Sequence, residues 1–136
     1  MANIWAVNSA HSYISVEYVA EHDWFYVKWS GHINPDDVVK AANTYLKLQE
    51  EKRCAKLLND KSEVTGDWQE ANDWLQYDWM PQVSEAGLKY FAMVLSRDLH
   101  DLAPAQDLQQ RLAPICTVEL FRDLASAEQW LDAQPE

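Results

Sequence analysis

Glycine is scarce in this chain, at 3 of 136 residues, and cysteine is scarcer, at 2. So few glycines exclude a Gly-rich loop whose backbone N–H groups could cradle a phosphate. The two cysteines, Cys54 and Cys116, stand in no Cys-x-x-Cys pair, which excludes a disulfide framework and a thiolate metal cluster. They read as two reduced thiols on buried strands. Positive charge is also short: Lys and Arg total 11 against 22 Asp and Glu, a formal net charge of −11. Such a surface repels phosphate backbones and anionic lipid, so neither nucleic acid nor membrane is an expected partner. No segment approaches 18 consecutive apolar residues, and Met1 is not followed by a basic and then apolar stretch, so a soluble, cytoplasmic protein is expected. Histidines 11, 22, 32 and 100 show no i,i+4 spacing, and no metal or other cofactor is expected.

What is present is a core. Apolar residues make up 48% of the chain, enough at this length for one domain, 1–136, to fold without staples. The acidic residues are dispersed rather than blocked, which suits solubility. After an N-terminal arm (1–12) carrying Ile4, Trp5 and Val7, the sequence alternates. Ile14, Val16 and Tyr18 face one way and Ser15 and Glu17 the other, and Trp24–Trp29 repeats the pattern across a polar turn. That is an antiparallel hairpin with one half-buried face.

The period then lengthens. Asn34 caps a helix, Pro35 opens it, and Asp36 and Asp37 suit the positive end of its dipole. Val38, Ala42, Tyr45, Leu46 and Gln49 form its inner stripe. A short strand follows near 54–59. In the next helix Asp67 and Glu70 have capping-box spacing, and Trp68, Leu75, Trp79, Val83 and Ala86 share one face, with a kink at Pro81. The run Tyr90–Leu95 reads as a central strand buried on both faces. Pro104 opens a third helix, Cys116–Leu120 forms a last strand, and Asp123 or Ser126 caps a closing helix. Together these predict an α/β domain with a mixed sheet and right-handed crossovers between its parallel strands.

Two places stand out as sites. Loops at the carboxyl ends of parallel strands hold ligands in α/β folds. Asn59, Asp60, Ser62 and Thr65, between the third strand and the tryptophan helix, are therefore the candidate binding loop. Trp74 and Tyr77 lie off the inner stripe of that helix, so they predict an exposed aromatic contact surface, centred on a homodimer or a protein partner. No nucleophile stands beside a base, and no catalytic residue is assigned.

The chain also carries Ile14–Tyr18 with Trp24–Gly31, Leu57-Leu58-Asn59-Asp60, Trp79-Met80-Pro81, Gly87-Leu88-Lys89-Tyr90-Phe91-Ala92, and an ending that joins Phe121-Arg122-Asp123-Leu124 to Ala127–Leu131. In this order, over about residues 13–132, it resembles the STAS-domain superfamily, in its SpoIIAA-like branch of small bacterial proteins. The resemblance implies a four- to five-stranded mixed sheet with helices largely on one face. It also implies regulation through protein contacts, switched in some members by phosphorylating a serine in an Asp-Ser-Ser-Gly-like turn. Here that region reads Asn59–Gly66. Only Asp60 and Ser62 stand in for the turn, and the Ser-Gly helix entry is missing. The expected function is a non-enzymatic protein-interaction or regulatory module. The alternative is a binder of a small apolar ligand in a tryptophan-lined pocket.

Overall fold

A computed structural model describes residues 4–9 and 11–135. The hairpin is present: β2 (Ser12–Val19) pairs antiparallel with β3 (Trp24–His32), Ile14 opposite Trp29 and Val16 opposite Val27. The expected N-terminal arm is instead a further strand, β1 (Ile4–Asn8), antiparallel to β2 at the sheet edge. Its alternation is real but short: Trp5 and Val7 lean on the core while Ile4 and Ala6 face out. Then β4 (Lys56–Thr65), β5 (Tyr90–Val94) and β6 (Thr117–Phe121) add in parallel, giving one mixed sheet in the order β1-β2-β3-β4-β5-β6. The sheet thus has six strands, not four or five, because five residues of the arm suffice to pair with β2.

Strand order follows chain order, so each crossover steps the same way. With one hand of connection, that places the connecting helices on one face. They are α1 (Pro35–Lys52), α2 (a composite helix over 69–85) and α3 (Leu99–Leu112). Their inner stripes bury Val38, Tyr45, Leu75, Trp79 and Leu108 against Phe25, Val27, Leu57, Phe91 and Met93 of the sheet. The last helix, α4 (Leu124–Ala133), crosses to the opposite face. There Ala127 and Leu131 pack on Trp24, Leu58, Ala92 and Val94. With a helix on each face, β5 is buried on both, as its unbroken apolar run requires.

The α1 entrance matches its sequence. Asn34 accepts from the Asp37 amide at 2.9 Å, and the Asp37 carboxylate accepts from the Asn34 amide at 3.1 Å. Two other helix starts differ from expectation. Asp67 accepts from the Gln69 amide at 2.9 Å without a reciprocal bond from Glu70, and the chain enters through a tight 3-10 turn, Gln69–Ala71. Helix α3 begins at Leu99, not at Pro104. Asp98 caps it, accepting from the His100 amide at 3.0 Å, and Pro104 lies inside the helix. A strong cap outcompetes the preference of proline for the first turn.

Cys54 and Cys116 are buried, but each lies just before its strand rather than within it. Burial pushes the Cys116 thiol up to about 12.

Candidate functional site

The discontinuity expected at Pro81 is a π-turn. After one α-turn (Asn72–Trp74), the backbone widens over Leu75–Trp79, closed by the Met80 amide on the Leu75 carbonyl, and returns to α over Met80–Glu85. Proline has no N–H to donate, and its ring would collide with the carbonyl four residues back, so the helix opens immediately before it. Leu75 and Trp79, at the two ends of this turn, both face inward and are buried.

Behind them lies a partly open cavity of about 40 Å³ between the sheet and helices α1–α3. Its walls are mostly apolar and include Val27, Trp29, Trp68, Leu75, Trp79 and Met93. Only Tyr45, Asn59 and Lys61 bring side-chain oxygen or amine and amide groups beyond the indole nitrogens to that lining. The volume suits one or two water molecules, or a ligand of a few heavy atoms.

A bulge in β4 sets the polar end. Lys28 pairs with Asp60 and Ser30 with Glu63, so Lys61 and Ser62 together oppose Trp29. Lys61 continues the inward alternation of Leu57 and Asn59, while Ser62 and Glu63 turn out. Its ammonium lies 2.7 Å from an Asp101 oxygen and 3.4 Å from the centre of the Trp68 ring, with Trp29 at 5.9 Å. Both partners of this ion pair are buried, Lys61 at 2% exposure and Asp101 at 0%. Asp101 also accepts from the Trp68 indole at 2.8 Å and the Ser96 amide at 3.0 Å, so both of its oxygens are engaged. Burial pulls the Lys61 amine down to about 8, against the pull of Asp101.

Asn59 receives the Trp29 indole N–H on its oxygen at 2.5 Å. Because an indole nitrogen only donates, that contact fixes the amide orientation and leaves Asn59 Nδ2 without an acceptor among the described residues. The Tyr45 hydroxyl is buried and has no hydrogen-bond partner among the described residues either. Burial holds its phenol well above the usual value.

The four residues expected to share a loop lie on a strand and separate. Asn59 faces the cavity. Asp60 and Ser62 belong to the opposite face of the sheet, where Asp60 accepts from the Tyr26 hydroxyl at 2.6 Å and from Lys28 at 3.3 Å, and Lys28 also reaches Ser62 and Glu63. Burial raises the Asp60 carboxyl, but hydrogen bonds from Tyr26 and Ser62 together with Lys28 outweigh it and hold the group below the usual carboxylate range. Thr65 ends the strand, its hydroxyl 2.9 Å from His32 Nδ1. A strand sends successive side chains to opposite faces, so consecutive residues there cannot form one site. Nor does a sheet built in one direction contain the reversal of strand order that opens a crevice at strand ends.

The aromatic surface is also smaller than expected. Trp74 is half-buried and packs against the main core, while Tyr77 is 70% exposed. The π-turn advances the chain by an extra residue per turn, so positions counted on a regular helix lose phase there. Lys61 and Asp101 were not legible as a pair. The local signal is the i, i+2, i+4 series Leu57, Asn59, Lys61 on a strand that runs past Asp60. Among the described residues, no group of three or more His, Cys, Asp or Glu could hold a metal, and no helix is long and apolar enough to cross a membrane. Comparison with protein-family models, curated proteins and solved structures finds no match.

Proposed function

We propose that this domain binds a small, largely apolar ligand in the tryptophan-lined cavity, without catalysing a reaction. The observation that carries this reading is a void bordered by a π-turn and lined by two polar groups without a partner among the described residues, the buried Tyr45 hydroxyl and Asn59 Nδ2. Buried polar groups are nearly always satisfied, and π-turns are frequent at functional sites. The Lys61 amine is already engaged by Asp101 and the Trp68 face, which supports holding rather than reacting. A ligand larger than a few atoms would have to displace the wall at Leu75–Trp79. Xenon, an apolar sphere suited to a small dry void, tests the cavity directly. Xenon-dependent shifts of the Trp29, Trp68 and Trp79 indole N–H resonances are expected; unchanged indoles under xenon pressure refute the reading.

A second reading, an interaction module acting through self-association or a protein partner, is favoured by the exposed Tyr77 ring on the outer side of α2. Sedimentation at micromolar concentration, with and without salt, tests it: a monomer throughout removes the homodimer. The hairpin followed by helix–strand repeats, with three of the four helices on one face, supports a STAS-like ancestry for either function.

A further inference from the structure

The polar side chains at the cavity have an imbalance that specifies what they can receive. Asn59 Nδ2 is a donor with no acceptor among the described residues, on a residue that is 7% exposed. The Lys61 ammonium carries three N–H groups, and Asp101 accepts from it at one contact of 2.7 Å. The Tyr45 hydroxyl is also unpartnered. No carboxylate lines the cavity, and the one amide oxygen on the lining, that of Asn59, already takes the Trp29 indole N–H. The unmet group that can only donate is therefore Asn59 Nδ2, while the Tyr45 hydroxyl can donate or accept.

Charge narrows the class further. Lys61 and Asp101 neutralise one another inside the fold. An anionic ligand would then bring an uncompensated negative charge into walls that are mostly apolar, and it would approach through the field of a chain with a formal charge of −11. A cationic ligand would find no unpaired anion to meet. Resting on the ligand-binding reading above, we infer that the cavity takes a neutral, compact apolar molecule bearing one hydrogen-bond acceptor, a carbonyl or ether oxygen, with Asn59 Nδ2 as the donor that selects it.

Acetone, acetate and isobutene are close in size and differ in just these properties: neutral acceptor, anionic acceptor and no acceptor. Each is titrated into the ¹⁵N-labelled protein at millimolar concentration, the range open to so small a ligand, and the Trp29 and Trp68 indole N–H resonances are followed. Acetone should shift them saturably and acetate should not. In Asn59→Leu, acetone affinity relative to isobutene should fall about 3- to 10-fold, the worth of one neutral hydrogen bond. If that variant does not fold, the wild-type comparison of acetone with acetate decides. Xenon or isobutene binding without acetone binding overturns the acceptor inference while leaving the cavity reading intact. Acetate binding as tightly as acetone overturns its neutrality. Indoles unmoved by xenon and all three probes overturn the cavity reading, and this inference with it.

Discussion

Replacing Asp101 by Asn removes one charge from a buried pair at almost constant volume. The wild-type carboxylate accepts from Lys61 at 2.7 Å, the Trp68 indole at 2.8 Å and the Ser96 amide at 3.0 Å. An amide has one acceptor oxygen, and its NH₂ would face one of those donors. The variant thus leaves an uncompensated buried ammonium and at least one unmet N–H. Breaking a buried pair from one side costs about 3–5 kcal/mol, against a total of about 5–15 kcal/mol for an ordinary domain. At about 2.1 cal/mol/K of unfolding entropy per residue, that lowers Tm by about 10–17 °C. Urea unfolding followed by tryptophan fluorescence and by far-UV circular dichroism measures it, with coincident curves required for a two-state reading. The double variant Lys61→Met/Asp101→Leu removes the charge penalty but still strands the Trp68 and Ser96 donors, at about 1–3 kcal/mol each. It should remain below wild type. A loss under about 1 kcal/mol for Asp101→Asn, or full recovery in the double variant, would refute the view of Asp101 as a three-way acceptor in a sealed site.

Lys61 gives the domain a pH signature. Below about pH 8 its amine is protonated in both folded and unfolded states; between about 8 and the ordinary 10.5 the folded form releases its proton first. The unfolded chain then binds more protons, so this group's contribution to stability should rise through that window, be complete above it, and be lost as pH falls through 8; urea midpoints at pH 7.5 and 9.5 check this as the difference between wild type and Lys61→Met, because the Cys116 thiol, pushed up to about 12, lowers stability in both over the same step. Gly66, at φ +111°, would place a Cβ against the Ile33 backbone, so Gly66→Ala should cost about 1–3 kcal/mol or more, read as a lower Tm. Phe91→Ala, which empties a buried position on β5 next to the cavity, should cost about 3–5 kcal/mol in urea unfolding. Ser62→Ala removes an exposed contact with Lys28 at 3.3 Å and the hydroxyl's hydrogen bond to Asp60, and should cost about 0.5–1.5 kcal/mol, checked the same way.

The sequence by itself determined the local elements. Alternation at Ile14–Tyr18 and Trp24–Trp29 specifies the hairpin, because a half-buried strand requires period two. The Asn34-Pro35 entry specifies the start of α1, because capping is settled within four residues. The unbroken run at Tyr90–Leu95 specified an interior strand, and β5 lies between β4 and β6. Tertiary structure alone decided the rest. Residues 60–65 look polar enough for a loop, yet pairing with β3 extends β4 to Thr65, since an edge of N–H and C=O groups gains more from a partner strand than from water around a turn. That extension divides Asn59 from Asp60 and carries Lys61 into the core. The partner of Lys61 is 40 positions further along, at the start of α3, and no local pattern encodes a pairing whose cause is desolvation of both charges. The same holds for Trp74: a π-turn set by Pro81 and by packing on the sheet changed its phase, which a count of 3.6 residues per turn could not register.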